Sequence, residues 1–165
     1  MRTVTLFCLV GLALLLEHTV LNFVRVAGVK PDLVLLIVVF NGILKGSREG
    51  AFWGFIAGLL EDFACGQYLG LHALSKLAAG YVAGLGDYVY KESSVVAAAM
   101  VWGASLISGG LMYLLLLTLG ITVGPADAFS RVVLPVAVYN GLLCPLFYHW
   151  FRRATVYGVL REERY

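Results

Sequence analysis

The sequence predicts an all-α integral membrane protein with six transmembrane helices in one bundle. Apolar residues make up 61% of the 165-residue chain, against roughly 45–50% in water-soluble globular domains. The mean hydropathy is +0.88. Charged residues are 13% of the chain and collect between apolar runs, as in short loops that connect membrane helices. These features exclude a water-soluble domain and predict a single membrane domain over residues 1–165.

The first three helices are predicted over residues 4–24, 31–45 and 50–64. The first is long enough to cross the hydrocarbon, which takes about 20 apolar residues. The second opens with Pro31 and Asp32, a proline suited to a first helical turn and an acid near the positive end of the helix dipole. The second and third are short, so a re-entrant hairpin competes with two spans. The hairpin would place Lys45, Arg48 and Glu49 at membrane depth, at a free-energy cost of about 2.5–3.5 kcal/mol per charge. This cost favours two tilted spans.

The last three helices are predicted over residues 69–88, 94–119 and 130–151, followed by a short cytoplasmic tail over residues 152–165. The fifth is the longest apolar run, and its glycines allow a kink or close packing. Gly124 and Pro125 mark a turn before the sixth.

The positions of lysine and arginine predict the orientation of the bundle. With a cytoplasmic N-terminus, eight of these residues fall inside and three fall outside or at the outer boundary, while Lys76 lies within a helix. Because cytoplasmic loops carry the excess of positive charge, both termini are predicted to be cytoplasmic.

Glycines recur at helical spacing in the middle of the chain. Gly50, Gly54 and Gly58 follow one another at i, i+4 steps, so they form one nearly side-chain-free stripe to which another backbone can approach closely. Gly80 and Gly84 repeat the pattern on the next helix. These five glycines either pack the two helices together or offer a groove to the membrane helix of a partner, and the sequence leaves both interpretations open.

Five ionisable residues form a candidate intramembrane polar cluster in the outer half of the membrane: Glu17, Asp32, Asp62, His72 and Lys76. Glu17 and Lys76 each lie roughly 10 Å below the outer boundary, at about 1.5 Å per residue. Since an isolated charge is costly there, Lys76 is expected to pair with Glu17 or Asp62. The cluster is either a structural charge pair or a cavity, open to the outside, for a small molecule, an ion or a polar group of a partner.

The sequence shows no set of nucleophile, acid and base, so we expect no enzyme, no cofactor and no metal. Ser75 and His72 share a helical face, but no reaction is indicated, and His18 with His72 lacks the spacing of metal ligands. The three cysteines form no CxxC pair and are expected to be small buried hydrophobes. The C-terminal arginines alternate with acids and predict a headgroup anchor rather than nucleic-acid binding.

Three segments resemble the bacterial rod shape-determining MreD family: KPDLVLLIVVF from Lys30, EGAFWGFIAGLLEDF from Glu49 and GLHALSK from Gly70. The resemblance covers roughly residues 30–84 by motif and the whole chain by length and helix layout. The positions that match the family pattern are Asp32, Gly54, Gly58, Asp62, Gly70 and Lys76.

This resemblance implies a non-enzymatic scaffold or adaptor of the cell-elongation machinery, with several spans in the lipids of the bacterial inner membrane. It implies direct binding to MreC, a single-span periplasmic scaffold, and action with MreB, RodA and the partner transpeptidase of RodA in peptidoglycan synthesis. The family is also thought similar in fold to the substrate-binding components of energy-coupling-factor vitamin transporters. A small-molecule binding component of a membrane transporter is therefore the alternative function, because fold does not determine function.

Overall fold

The computed structural model describes residues 2–19, 28–66, 68–86, 93–121 and 124–157, with side chains as far as Thr155. Within these residues the chain forms six helices and no β-strand, which confirms the all-α class. The first five are α1 (Arg2–Thr19), α2 (Leu33–Lys45), α3 (Ser47–Cys65), α4 (Leu71–Leu85) and α5 (Ser94–Thr118). The sixth, α6, consists of three consecutive segments, Pro125–Ala128, the π-helical turn Phe129–Val133, and Leu134–Tyr157.

Three of the six helices, α1, α5 and α6, are long and apolar enough to cross a membrane. That all six helices are transmembrane stays a prediction. α2 has 13 residues and α4 has 15. At about 1.5 Å per residue they measure about 20 and 22 Å, less than the hydrocarbon core of about 30 Å. α3 has 19 residues but carries charges at both ends. The choice between two tilted spans and a hairpin for α2 and α3 stays a prediction.

The ends of the middle helices differ from the predicted ones by a few residues. α3 begins at Ser47 instead of residue 50, because Gly46 alone separates it from α2. Gly46 has φ 100°, a conformation that other residues rarely adopt. α4 spans Leu71–Leu85 rather than 69–88. The predicted ends of the first and fourth helices, at residues 20–24 and 87–88, lie outside the described residues.

α6 is longer than predicted at both ends. It begins at Pro125 instead of residue 130, since proline fits the first position of a helix. It continues to Tyr157, so the first residues of the predicted tail are helical, and residues 158–165 lie outside the described part of the chain. α5 ends within one residue of its predicted limit.

α2 lies at the centre of the bundle and packs against α1, α3, α4, α5 and α6. Its sequence is apolar on all sides, which is typical of a helix buried all round, and ten of its 13 residues are buried. Phe40 of α2 meets Tyr148 and Phe151 of α6 with ring centroids 5.2 and 5.6 Å apart. The short α2 therefore places Asp32, at its N-terminus, inside the bundle.

Candidate functional site

Lys76 of α4 is fully buried and makes two ion pairs at one end of the bundle. Its Nζ donates a hydrogen bond to Asp32 Oδ2 and lies 2.9 Å from Glu61 Oε2. The expected pairing of Lys76 with Glu17 or Asp62 is therefore wrong. Helical side chains lean toward the N-terminus of their own helix, and for Lys76 this direction leads to the start of α2 and the last turns of α3.

Asp62 has a different role from the one expected, because its carboxylate caps α4. It accepts hydrogen bonds from the backbone N–H groups of Gly70, His72 and Ala73 at 2.8, 3.0 and 3.2 Å. The first N–H groups of a helix have no partner within the helix, and a negative charge there also complements the helix dipole. Asp62 thus joins the end of α3 to the start of α4.

Substitution Asp62→Ala should lower the stability of the protein by about 1–3 kcal/mol, because it leaves buried N–H groups without acceptors. Asp62→Asn retains one acceptor oxygen and should cost less. The measurement is the thermal unfolding temperature of the purified protein in mild detergent. The matched control is Asp127→Ala, since the Asp127 side chain is 61% exposed and pairs with the exposed Arg131, an interaction worth about 0–1 kcal/mol. Equal losses in Asp62→Ala and Asp127→Ala would contradict the capping role.

Asp32 connects three helices in addition to binding Lys76. Its Oδ1 accepts from Leu35 N at 2.7 Å, so it is the N-cap of α2. Its backbone N–H donates to Asn140 Oδ1 of α6 at 2.9 Å. Asn140 in turn donates from Nδ2 to Ser105 Oγ of α5 at 3.1 Å. Asn140 was not among the predicted site residues, although a lone amide inside an apolar run is a recognisable signal.

Glu17 and Glu61 complete the group around Lys76. Glu17, only 1% exposed, accepts a hydrogen bond from Val34 N at 3.0 Å. The nearest carboxylate oxygens of Glu17, Asp32 and Glu61 lie within 4.8 Å of one another. Glu61 was not among the predicted cluster residues, but its Oε1 lies 3.3 Å from His72 Nδ1. Its position seven residues after Gly54 places it on the glycine face of α3, a signal that could have found it.

We call this group the charge cluster: Glu17, Asp32, Glu61, His72 and Lys76. By distance alone its three carboxylates are suited to a metal ion. However, the ammonium group of Lys76 already pairs with Asp32 and Glu61, so a lysine supplies the positive charge that a metal would bring. The arrangement favours a buried ionic network over a metal centre.

The glycine stripe of α3 lies against the backbone of α4. A Cβ atom added at any of its three glycines would come within 3.0 Å of an α4 carbonyl oxygen. The facing pairs run antiparallel with a step of four residues on both helices: Gly50 with Gly80, Gly54 with Lys76 and Gly58 with His72. Gly84 approaches the backbone of Ser47 in the same way. Helix α4 of the chain itself therefore fills this groove.

The profile of the family described as rod shape-determining protein MreD matches residues 1–155 of the 165-residue chain. The chain belongs to the MreD family. A role in rod shape determination follows from this membership, and together with the three apolar helices of spanning length it indicates a membrane protein. No curated protein and no solved structure matches the chain significantly. The expected likeness to energy-coupling-factor components therefore stays a prediction.

The three segments that resemble MreD meet at the charge cluster. The segment from Lys30 supplies Asp32, the segment from Glu49 supplies Glu61, and the segment from Gly70 supplies His72 and Lys76. Residues from three separate MreD-like segments thus form one network, because α2, α3 and α4 contact one another.

Proposed function

We propose that this MreD-family protein is a non-enzymatic scaffold of the cell-elongation complex in the bacterial inner membrane. It binds MreC and helps to position or regulate the peptidoglycan synthase, with MreB, RodA and the transpeptidase partner of RodA in the wider complex. The observation that carries the proposal is the family match over residues 1–155. A small helical bundle with little mass outside its helices suits an adaptor that works inside the membrane.

We further propose that both termini face the cytoplasm, as the excess of lysine and arginine suggests. The two ends of the bundle differ in a way that supports this orientation. At one end Arg2 pairs with Glu49 at 2.8 Å, beside the short connection between α2 and α3. The charge cluster lies at the other end, where α1 and α3 finish and α2 and α4 begin. The cluster is then on the periplasmic side, near the bulk of MreC.

The membrane helix of MreC needs a surface that the chain leaves open, and the glycine stripe does not supply one because α4 covers it. An apolar groove of about 350 Å³ runs between α1, α2 and α6. Leucines from α1 and α2 form one wall, and Phe147, Trp150 and Phe151 of α6 form the other. Close packing of apolar side chains drives helix association in lipid, so we place the MreC helix in this groove.

Leu12→Trp should reduce the recovery of MreC with the tagged protein by roughly tenfold, equivalent to about 1.4 kcal/mol of binding energy. Leu12 is 54% exposed and lines the groove, so a tryptophan there occupies the space of the incoming helix. The control is Leu114→Trp on α5, since Leu114 is 57% exposed and lies away from the groove. Recovery is measured by affinity purification from native membranes in mild detergent, followed by mass spectrometry.

Two outcomes of that purification would count against the proposal. If Leu12→Trp and Leu114→Trp retain the same amount of MreC, the helix docks elsewhere. If the unsubstituted protein recovers a pair of transporter ATPases and no MreC, the scaffold role is wrong and the alternative of a small-molecule binding component takes its place. A cavity of about 410 Å³ beside the charge cluster is the observation that favours this alternative.

A further inference from the structure

The cavity beside the charge cluster presents carboxylates to its interior. Its wall includes Glu17, Asp32 and Glu61, together with His72 and Lys30. Lys76, whose side chain is fully buried, is not among the lining residues. A molecule in the cavity would therefore meet the three carboxylates before it met their main counter-charge.

The positive charges around this cavity leave part of the negative charge unbalanced. The described residues that line the cavity, or form ion pairs with its lining residues, include three carboxylates but only two lysines. Lys30 Nζ contacts the backbone oxygen of Glu17, at 3.4 Å, rather than a carboxylate. Glu61 Oε2 is buried and pairs with Lys76 Nζ at 2.9 Å, but it shares this ammonium group with Asp32. Buried carboxylates this close together require a proton or a further cation.

A second cavity of about 260 Å³ lies next to the first. The two share Asp32, His72, Val132 and Val136 as lining residues. The second is mainly apolar and extends between α4, α5 and α6, with Leu35, Met112 and Leu116 among its lining residues. The π-helical turn of α6 forms part of its wall, and such turns occur frequently at functional sites. Together the two cavities have a polar end beside the carboxylates and an apolar end between the helices.

We propose that the two adjacent cavities together bind an amphipathic ligand with an ammonium head and an apolar tail. The head lies against the carboxylates of Glu17, Asp32 and Glu61, and the tail extends between α5 and α6. Pockets of this size, mostly apolar with a few convergent polar groups, are typical ligand sites. The site lies apart from the groove assigned to MreC, so it stands or falls independently of the scaffold role.

The test compares ligands of equal tail length by their effect on thermal unfolding of the purified protein in a neutral detergent. Decylamine, undecanoate and decanol carry the same ten-carbon tail and differ only in the head, and methylamine supplies the head without the tail. At about 100 times its Kd, decylamine should raise the unfolding temperature by on the order of 5 °C. The other three probes should shift it by less than half as much. Equal shifts with all three decyl probes, or no shift with decylamine, would overturn the proposal.

Substitutions at the two ends of the site make the test specific. Val136→Trp fills the junction of the cavities and should abolish the decylamine shift, whereas Val138→Trp, at an exposed position of the same helix, should keep it. Glu17→Gln retains an acceptor for Val34 N but removes a charge, and should reduce the shift at least twofold. If Glu17→Gln does not fold, the comparison of Val136→Trp with Val138→Trp still tests the proposal. A full shift in Val136→Trp would show that decylamine binds elsewhere.

The ammonium group has two plausible sources, an aminophospholipid of the membrane or a free long-chain amine. Nanodiscs of phosphatidylglycerol with and without phosphatidylethanolamine separate them. If the lipid is the ligand, phosphatidylethanolamine should raise the unfolding temperature and remove the additional shift caused by decylamine. If a free amine is the ligand, the decylamine shift should be the same in both nanodiscs.

Discussion

A Lys76→Met variant is expected to lose about 3–5 kcal/mol of stability, since removal of one partner leaves buried charges uncompensated. Lys76 is fully buried and pairs with Asp32 and Glu61, while Glu17 lies within the same group of carboxylates. Methionine has nearly the length of lysine, so the loss reports charge rather than volume. In detergent the unfolding temperature should fall by on the order of 10 °C.

Removal of the facing charges should restore much of that loss. Asp32→Asn keeps the Oδ1 acceptor for Leu35 N, and Glu61→Gln keeps the shape of Glu61. The triple variant with Lys76→Met should be more stable than Lys76→Met alone, because neutral side chains of similar volume often replace a buried ion pair at little cost. The surface control is Arg131→Met, which breaks an exposed ion pair to Asp127 and should cost about 0–1 kcal/mol. A triple variant no more stable than the single one would rule out the charge imbalance as the cause.

Gly58→Ala is expected to destabilise the protein by about 1–3 kcal/mol, although alanine is the better helix former. The added Cβ would lie within 3.0 Å of the His72 backbone oxygen, and a backbone atom cannot move aside as a flexible side chain can. The helices α3 and α4 would have to separate. Gly54→Ala and Gly50→Ala should act in the same direction, against Lys76 and Gly80.

Gly103→Ala on α5 is the matched control for this series. A Cβ at Gly103 meets no atom within 4 Å, so the substitution should gain about 0.5–1 kcal/mol from helix propensity. The two substitutions are chemically identical, and the predicted changes in unfolding temperature have opposite signs. A loss of stability at Gly103 equal to that at Gly58 would mean that the glycines of α3 matter for a reason other than helix contact.

The class of the protein and the existence of its helices could be predicted from the sequence, because both depend on local composition. A long apolar run forms a helix in lipid whatever its neighbours do, since every backbone N–H and C=O must be satisfied within the segment. α5 accordingly ends within one residue of its predicted limit. The resemblance to MreD also rested on local motifs, and the family match over residues 1–155 confirms it.

Spanning length is a separate question from helix existence. α2 and α4 are apolar helices of only 13 and 15 residues. Their burial comes from contact with other helices of the bundle, and hydropathy alone does not distinguish a residue covered by protein from one covered by lipid. The six predicted helices are therefore confirmed as helices, three of them have spanning length, and the crossing of the other three stays a prediction.

The partners of Lys76 were decided only by the tertiary structure. The depth estimated from the sequence placed Glu17 and Lys76 at one level, but it could not show which side chains point at one another. The close approach of α3 and α4 assigns Asp62 to the N-terminus of α4 and turns Glu61 toward Lys76. Composition and local pattern thus determine a helical membrane protein of the MreD family. The choice of ion pairs and the shape of the cavities depend on how helices distant in sequence pack together.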